Sequence, residues 1–251
     1  MFIGILGEAG SGKDTAGRFL VQEHGFYSLA FADPIKIFCM WMFGWSWERL
    51  WGPSELRNEP DEALPFVRCP SCGFLPYDTA IDKSANDVEC PICAGHRVPD
   101  EWFAHLSARY ALQHLGTEWA RTLKDACHIE FAIKRASAVQ QHGITYDPLW
   151  HVLPHEVLKE RFLPEQQTGR NPTPVYVSDC RFKNEVKLLQ AVGGKVYRIR
   201  RRGKEDNTSS GISGHASEME QREIVDEDLD GVIENHGTLE ALKETLTTLV
   251  A

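Results

Sequence analysis

The sequence lacks long apolar runs, and none of its 251 residues lies in an unbroken stretch of 18 apolar residues. A membrane-spanning helix needs about 20 such residues, so the composition excludes a helical membrane protein. Basic residues are also few, since 27 Lys and Arg stand against 36 Asp and Glu and give a net charge of −9. A surface with this balance does not favour nucleic acid as a whole, although local basic clusters still can. Internal repeats and long low-complexity tracts are absent, so we expect one large domain, or one domain with an insertion.

We also expect no leader segment, because an apolar, strand-like run begins at Phe2 and leaves no room for a signal peptide. The seven cysteines are an odd number, and four of them form two Cys-x-x-Cys pairs. Both observations favour a reducing cytoplasm and a metal site over a disulfide framework. The 42% of hydrophobic residues is enough to bury a core.

The N-terminal stretch contains a glycine-rich loop between a strand and a helix. Residues 2–6 predict a short buried strand, residues 7–15 read Gly-Glu-Ala-Gly-Ser-Gly-Lys-Asp-Thr, and a helix can continue from Ala16. Glycines let backbone N–H groups turn toward an anion, and the helix N-terminus adds positive potential there. Lys13 would contact the β- and γ-phosphates of a nucleotide. We therefore predict a phosphate-binding loop, with an ordinary glycine-rich turn as the alternative.

The residue that follows the lysine departs from the usual phosphate-loop pattern. The Ser or Thr that commonly holds Mg²⁺ is replaced by Asp14, and Thr15 comes next. Because Mg²⁺ prefers hard oxygen ligands, either the Asp14 carboxylate or the Thr15 hydroxyl can hold the ion. Both stay candidates.

Four further segments predict the remaining strands of an α/β sheet, and the segment at residues 195–200 alternates basic and apolar residues. They lie at residues 26–31, 175–179, 195–200 and 231–235. Strands that alternate with helices form a mostly parallel sheet with helices on both faces. The sequence therefore predicts a five-stranded sheet of this kind.

Polar residues follow the second and third predicted strands, at the edge where ligands of such sheets bind. Asp33 and Lys36 follow the second strand, with a helix cap and a solvated lysine as the alternatives. Asp179 ends the third strand, where an acid can serve Mg²⁺ or an attacking hydroxyl. Arg181 can bind a phosphate through two N–H groups. Its alternative role is a surface ion pair with Glu185.

Four cysteines have the spacing of a zinc ribbon. They are Cys69, Cys72, Cys90 and Cys93. Two pairs with this separation bind one tetrahedral ion, and four thiolates leave no open position, which predicts a structural site. We expect a zinc ribbon at residues 67–98, inserted into a domain formed by residues 1–66 and 99–251. Two unrelated pairs of reduced cysteines are the alternative.

The intervening stretches carry weaker signals. Residues 54–65 are interpreted as a connection, residues 99–115 as helical, and residues 144–174 as irregular surface. Gly116 is expected to end one helix and Thr117 to cap the next, which would run from Ala120 to Val139. Gln113 and Arg121 flank that corner and could converge on a substrate. A basic run precedes a polar, glycine- and serine-rich stretch, which predicts a mobile lid over residues 200–222. The lid candidates are Arg200, Arg201 and Arg202.

Five of these motifs, in this order, resemble those of the deoxynucleoside monophosphate kinases of tailed bacteriophages. They are residues 7–15, 31–36, 113–121, 178–185 and 235–239. The resemblance covers most of the chain outside residues 67–98 and 140–172, and the zinc ribbon is not part of the family pattern. It implies a phosphate-loop nucleoside-monophosphate-kinase fold, ATP with Mg²⁺ as donor, and a deoxynucleoside 5′-monophosphate as acceptor.

The resemblance also implies roles for the residues that match the family motifs. Catalytic roles go to Lys13, Asp33, Arg121, Asp179 and Arg181. ATP contacts go to Gly10, Ser11, Gly12, Lys13, Asp14, Thr15, Asn235 and Gly237. Acceptor contacts go to Asp33, Lys36, Gln113, Thr117, Arg121 and Arg181.

Two other functions stay open at this stage. One is a phosphate-loop kinase that phosphorylates a hydroxyl on a base or sugar within DNA, which would need a general base and a DNA contact through the zinc ribbon or Arg200–Arg202. The other is a switch that binds a nucleotide without turnover. The expected partners are nucleotide substrates and a second copy in a homodimer, and the expected location is the cytoplasm, that of the host if a phage encodes the chain.

Overall fold

The computed structural model describes residues 1–8, 10–72, 88–97, 103–161, 172–201 and 223–251. The chain divides into two compact units. We call Met1–Trp47 with Leu112–Ala251 the sheet unit, and Glu48–Ala111 the inserted unit. Most of the predicted lid, including Arg202, lies outside the described residues.

Within these ranges the strands are β1 (Phe2–Leu6), β2 (Tyr27–Leu29), β3 (Pro60–Val67), β4 (Val88–Glu89), β5 (His96–Arg97), β6 (Phe103–Ser107), β7 (Val175–Val177), β8 (Lys195–Arg200) and β9 (Gly231–Glu234). The α-helices are α1 (Lys13–His24), α2 (Asp33–Phe43), α3 (Trp47–Trp51), α4 (Ser54–Asn58), α5 (Ala108–Gln113), α6 (Ala120–Leu123), α7 (Cys127–His142), α8 (His155–Arg161), α9 (Lys183–Ala191) and α10 (Leu239–Val250). A π-helical turn covers His114–Trp119, and 3₁₀ turns cover Ile144–Tyr146 and Asp226–Asp228. Over the described ranges, no helix has both the length and the apolar character to cross a bilayer.

The sheet unit is built on five parallel strands in the order β2-β7-β1-β8-β9. The first strand is central, since Phe2 lies opposite Val175 on one side and Ile3 lies opposite Lys195 on the other. All five residues of β1 are buried, as expected for a parallel strand covered on both faces. The predicted five-stranded α/β sheet is confirmed.

Alternate residues of the sheet belong to two separate hydrophobic layers. Phe2 and Leu6 pack with buried residues of α7 and α9, whereas Ile3 and Ile5 pack with those of α1 and α10. This division follows from the period of two along a strand. Helices therefore cover both faces, and the carboxyl ends of the strands form the edge that carries the polar residues.

The helical stretch around Gly116 differs from the prediction. The α5 helix continues through the π-helical turn into α6, and the break comes at Lys124, whose backbone is extended at φ −159° and ψ 111°. A Cβ on Gly116 would lie 3.0 Å from Cδ1 of Ile35, so this glycine allows a close approach to α2 and does not end a helix. The backbone of Thr117 lies inside the turn and not at a helix start.

Three more predictions were wrong because tertiary contacts outweigh local pattern. Residues 54–65 and 99–115 include the antiparallel strands β3 and β6, which pair from Pro60 opposite Ser107 to Val67 opposite Phe103. The irregular stretch 144–174 contains α8, which buries Val157 and Arg161.

Candidate phosphate site and metal centre

The loop between β1 and α1 has a shape that only glycine permits at its centre. Gly12 has φ +104°, and a Cβ there would lie 2.3 Å from Nδ2 of Asn235. That same Nδ2 donates a hydrogen bond to the Ser11 carbonyl at 2.9 Å. The residue that follows β9 therefore holds the loop against the sheet, and the structure brings Asn235 and the loop together.

The N-terminus of α1 is arranged to receive an anion. Gly12 occupies the N-cap position, so no side chain accepts the first N–H groups of this helix of 12 residues. The Ser11 hydroxyl is buried and has no hydrogen-bond partner among the described residues. A buried hydroxyl and uncapped N–H groups at one helix start fit the oxygens of a phosphate.

Two cations meet at this loop. Nζ of Lys13 donates hydrogen bonds to the carbonyls of Gly7 and Glu8, the latter at 2.7 Å. Burial, which is the largest cause, and the positive charge of Arg181 together lower the pKa of Lys13 to about 8. Arg181 is exposed, and no carboxylate in the described ranges pairs with its guanidinium. Two neighbouring cations of this kind favour an anion between them.

Asp33 is the centre of a buried ionic network. Its carboxylate is inaccessible to solvent and accepts hydrogen bonds from Arg161 at 2.7 Å and from Arg135 at 2.8 Å. Arg135 also binds both oxygens of Asp147 at 2.9 and 2.8 Å, and the Tyr27 hydroxyl donates to Asp147 at 2.9 Å. Burial opposes ionisation of Asp33, but the two arginines outweigh it and hold the pKa of this carboxyl well below its usual range.

Asp179 holds the backbone between β2 and α2. Its Oδ1 accepts a hydrogen bond from the Phe31 N–H at 2.8 Å, and its Oδ2 accepts one from the Ala32 N–H at 3.1 Å. Burial raises the pKa of Asp179, although these N–H groups oppose the effect. Asp33 and Lys36 lie at the start of α2 after β2, and Asp179 follows the parallel strand β7, so all three lie at one end of the sheet. The positive charge of Lys36 favours ionisation of both acids and so acts to lower the pKa of each. Asp33, Lys36 and Asp179 therefore lie at the predicted edge of the sheet. The carboxylates of the two acids, however, bind protein groups that hold the turn between β2 and α2.

Arg121 is held by the first turn of α9. Its Nη2 donates to Oε1 of Glu185 at 2.7 Å, its Nη1 donates to Oδ1 of Asn184 at 3.4 Å, and its Cζ lies 3.6 Å from the centroid of the Phe182 ring. The other oxygen of Glu185 accepts from the backbone N–H of Arg181 at 2.6 Å. Glu185 therefore pairs with Arg121, and the alternative of an ion pair with the Arg181 side chain is wrong.

Gln113 shares the α5–α6 helical stretch with Arg121. Its Oε1 is buried and has no hydrogen-bond partner in the described part of the chain, so it is available to a donor on a ligand. The side chain of Thr117 lies outside the described residues.

The remaining candidates from the sequence are mostly exposed to solvent, and one of them pairs with an acid. Asp14 is exposed and Thr15 half-buried on the first turn of α1, and both are still candidates for Mg²⁺. Gly10 has φ +75°, and Gly237 is exposed. Arg200 pairs with Asp226 at 2.7 Å, and Arg201 is exposed.

The inserted unit brings the four cysteines together. Their ligand atoms all lie within 4.8 Å of one another. Sγ of Cys69 lies 3.8 Å from that of Cys93, and Sγ of Cys72 lies 3.7 Å from that of Cys90. Tetrahedral bonds of about 2.3 Å to zinc would place the sulfurs about 3.8 Å apart. The donor set and these spacings fit a structural zinc ion.

The local backbone supports this cluster. The Cys90 N–H donates to the Gly95 carbonyl at 3.0 Å, which closes the turn that carries the second cysteine pair. Desolvation raises the pKa of the Cys69 thiol, but the backbone N–H groups of Cys72 and Ser71 outweigh it and lower the pKa to about 6. Such donors favour the thiolate form that a metal needs.

We expect the protein to carry about one zinc ion per chain when it is purified without added zinc, as measured by metal analysis. Cys90→Ser should lose the ion and lower the melting temperature, because a structural zinc site contributes free energy to folding. Cys127→Ser removes a thiol outside the cluster and should keep the ion. A metal-free preparation, or one with these cysteines in disulfides, would contradict the assignment.

The chain was compared with known proteins. No protein-family model matches it. A protein of Acanthamoeba polyphaga mimivirus named "Putative deoxynucleotide monophosphate kinase" is 26% identical over 251 residues, which are 100% of this chain and 96% of that protein. The similarity therefore extends over both units and is not confined to the glycine-rich loop. It supports a relationship to proteins of the deoxynucleotide monophosphate kinase type, while the resemblance to tailed-phage enzymes stays a prediction.

Proposed function

We propose that this protein transfers the γ-phosphoryl group of ATP to the phosphate of a deoxynucleoside 5′-monophosphate, giving the diphosphate and ADP. The observation that carries the proposal is the uncapped start of α1, which has Lys13 in its first turn and the positive charge of Arg181 acting on that lysine, at the end of the sheet where β1 and β7 finish. Two cations and free N–H groups suit a site for several phosphate oxygens. The name of the mimivirus relative supports the acceptor class.

The donor side of the site is formed by the glycine-rich loop. N–H groups near Gly10 and Gly12 would bind the β- and γ-phosphates, and Lys13 would neutralise charge on the transferred group. Bound Mg²⁺ would neutralise further charge on these phosphates, and Asp14 and Thr15 are the residues that would hold it.

The acceptor phosphate would lie near Lys36, Arg121 and Arg181. One of its oxygens attacks the γ-phosphorus and forms the new bond, while the bond from that phosphorus to the bridging oxygen breaks and ADP leaves. The attacking oxygen is already ionised at neutral pH, so no base is needed. We accordingly give Asp33 and Asp179 positioning roles, because their carboxylates accept hydrogen bonds from buried arginines and from backbone N–H groups.

The hydrogen bonds of Asp33 and Asp179 disfavour a kinase that acts on a hydroxyl within DNA. Such a reaction needs a general base to remove a proton. Asp33 and Asp179, the two acids predicted to orient an attacking oxygen, are already engaged in structural hydrogen bonds.

The test is an acceptor panel with γ-labelled ATP, Mg²⁺ and either free deoxynucleoside monophosphates or DNA, with Lys13→Ala as the inactive control. We expect label in one or more deoxynucleoside diphosphates and none in DNA. Label in DNA would support the alternative. ATP binding without transfer to any acceptor would indicate a nucleotide switch and overturn the proposal.

The alkaline pH dependence should report the pair of cations. We expect kcat/KM for ATP to fall about tenfold per pH unit above pH 8, because Lys13 of the free protein, with a pKa of about 8, loses its proton there. Arg181→Gln removes the neighbouring charge and should shift this fall to higher pH. Lys134→Gln, an exposed position on α7, is the matched control. A pH profile that is unchanged in Arg181→Gln would contradict the closeness of the two side chains.

A further inference from the structure

Glu185 is a buried acid in the first turn of α9, and it joins two segments of the proposed site. Its side chain is 3% exposed. Its Oε2 accepts hydrogen bonds from the backbone N–H groups of Arg181 at 2.6 Å and Phe182 at 2.9 Å. Its Oε1 accepts from Nη2 of Arg121 at 2.7 Å. One carboxylate therefore fixes the backbone of one arginine and the guanidinium of the other.

The surroundings of Arg121 leave its guanidinium little freedom. One face lies on the Phe182 ring, and Nη1 faces Asn184 and also lies 3.6 Å from Oδ1 of Asp125, whose Oδ2 accepts a hydrogen bond from Nδ2 of Asn184 at 2.8 Å. The side chain is 12% exposed. A guanidinium has five N–H donors, and these contacts use only its two terminal nitrogens. Arg121 can therefore be held by Glu185 and still donate to an anion.

Helix capping alone does not account for a full charge at this position. An acceptor at the third residue of a helix caps the preceding N–H equally well as Gln or Glu. A buried ion pair is no more stabilising than apolar residues of the same volume, because both charges lose their hydration. The charge of Glu185 is more than the cap requires, whereas it suits the fixing of an arginine.

We propose that Glu185 is a positioning residue that holds Arg121 and Arg181 as a two-arginine site for the phosphate of the acceptor. Glu185 itself does not contact the substrate. Because its oxygens are engaged by Arg121 and by backbone N–H groups, the Arg181 guanidinium stays available to the anion. The identity of that anion rests on the proposed function.

The first test is Glu185→Gln, which keeps the helix cap and removes the charge. We expect the acceptor KM to rise about 10- to 100-fold, since a small displacement of a binding group can cost this much, while the KM for ATP changes less than about threefold. Glu130→Gln removes an exposed acid paired with Lys124 and should leave both constants unchanged. A Glu185→Gln protein with a lower melting temperature and an unchanged acceptor KM would overturn the inference, because that is the result of a purely structural role.

A double-mutant cycle identifies the route of the effect. If Glu185 acts through Arg121, adding Glu185→Gln to Arg121→Ala should change the acceptor KM by less than about threefold. Fully additive effects would overturn the inference.

A pH profile gives a separate kinetic readout. The pKa of Glu185 is raised to about 7, mainly by burial and also by the charge of Asp179, while the backbone N–H groups and Arg121 oppose the rise. The Cys180 thiol is also near this carboxylate, and burial raises its pKa well above the ordinary value, so the thiol stays neutral. Glu185 gains a proton below pH 7 and loses its hold on Arg121, so the acceptor KM should rise as the pH falls. The acceptor phosphate itself ionises near pH 6, and this affects the original protein and Glu185→Gln equally. The part of the rise in acceptor KM that comes from Glu185 should therefore be missing in Glu185→Gln. Identical pH profiles of the two proteins would overturn the inference.

Binding of inorganic phosphate separates this inference from the proposed function. Calorimetry in a Lys13→Ala background removes the contribution of the lysine on the donor loop. If no deoxynucleoside monophosphate accepts a phosphoryl group, the proposed function fails, but weaker phosphate binding in Glu185→Gln would still support the two-arginine site. Equal binding in both proteins, or no binding with Glu185 intact, would overturn it.

Discussion

Replacement of Lys13 by alanine is expected to lower phosphoryl transfer by about 10³-fold and to leave the melting temperature within a few degrees. The lysine would neutralise charge on the transferred group, and a single preorganised donor of this kind supplies about 10²- to 10³-fold in rate. Its bonds within the protein go to the carbonyls of Gly7 and Glu8, and burial disfavours its charge. Removing it should therefore cost little folding free energy. The measurement is kcat with the best acceptor at saturating ATP, together with thermal unfolding.

Lys134→Ala is the control for loss of a lysine outside the loop, and it should keep full activity. Activity of Lys13→Ala within a few-fold of the original protein would contradict the assignment of the loop to the donor nucleotide.

Arg181→Ala is expected to reduce kcat/KM for the acceptor by roughly 2–4 kcal/mol, by analogy with the loss of transition-state donors. The side chain is exposed, lies close to Lys13 and has no acidic partner among the described residues. Its removal therefore breaks no ion pair, and the cost should fall on the ligand. Arg181→Lys should recover only part of the loss, because an ammonium group cannot copy the two-point geometry of a guanidinium.

The measurement is steady-state kinetics at pH 7, with ATP and acceptor varied separately. We expect kcat/KM for the acceptor to change far more than the KM for ATP. A higher KM for ATP with unchanged acceptor kinetics would place Arg181 in the donor site and contradict the proposed arrangement.

The sheet could be predicted because its strands are short segments with apolar residues close together in the sequence, and four of the five are followed directly by a glycine or a polar residue. The rule that ligands collect at the carboxyl ends of parallel strands also placed Asp33 and Asp179 at the correct edge. The sequence gives no indication of where their carboxylates point. The structure directs Asp33 to Arg135 and Arg161, which come from segments more than a hundred residues away.

The pairing of Glu185 with Arg121 likewise could not be predicted from the residues near Glu185 in the sequence. The spacing from Phe182 to Glu185 is that of a helix cap, and this was the available sequence signal. The spacing says nothing of Arg121, which reaches Glu185 from α6. The π-helical turn was missed for a related reason, since Gly116 is needed for contact with Ile35.

The central position of β1 has a consequence for synthesis on the ribosome. Phe2 pairs with Val175 and Ile3 pairs with Lys195. Strand β1 is therefore synthesised long before β7 and β8, the two strands with which it pairs. At about 5–20 residues per second, translation of the intervening chain takes roughly 10–40 s. During this time the apolar run Phe2–Leu6 has unpaired edges on both sides, and an exposed apolar strand of this kind can pair with other chains. The paired strands β3 and β6 of the inserted unit are much closer in sequence, so they can pair before the partners of β1 have been synthesised.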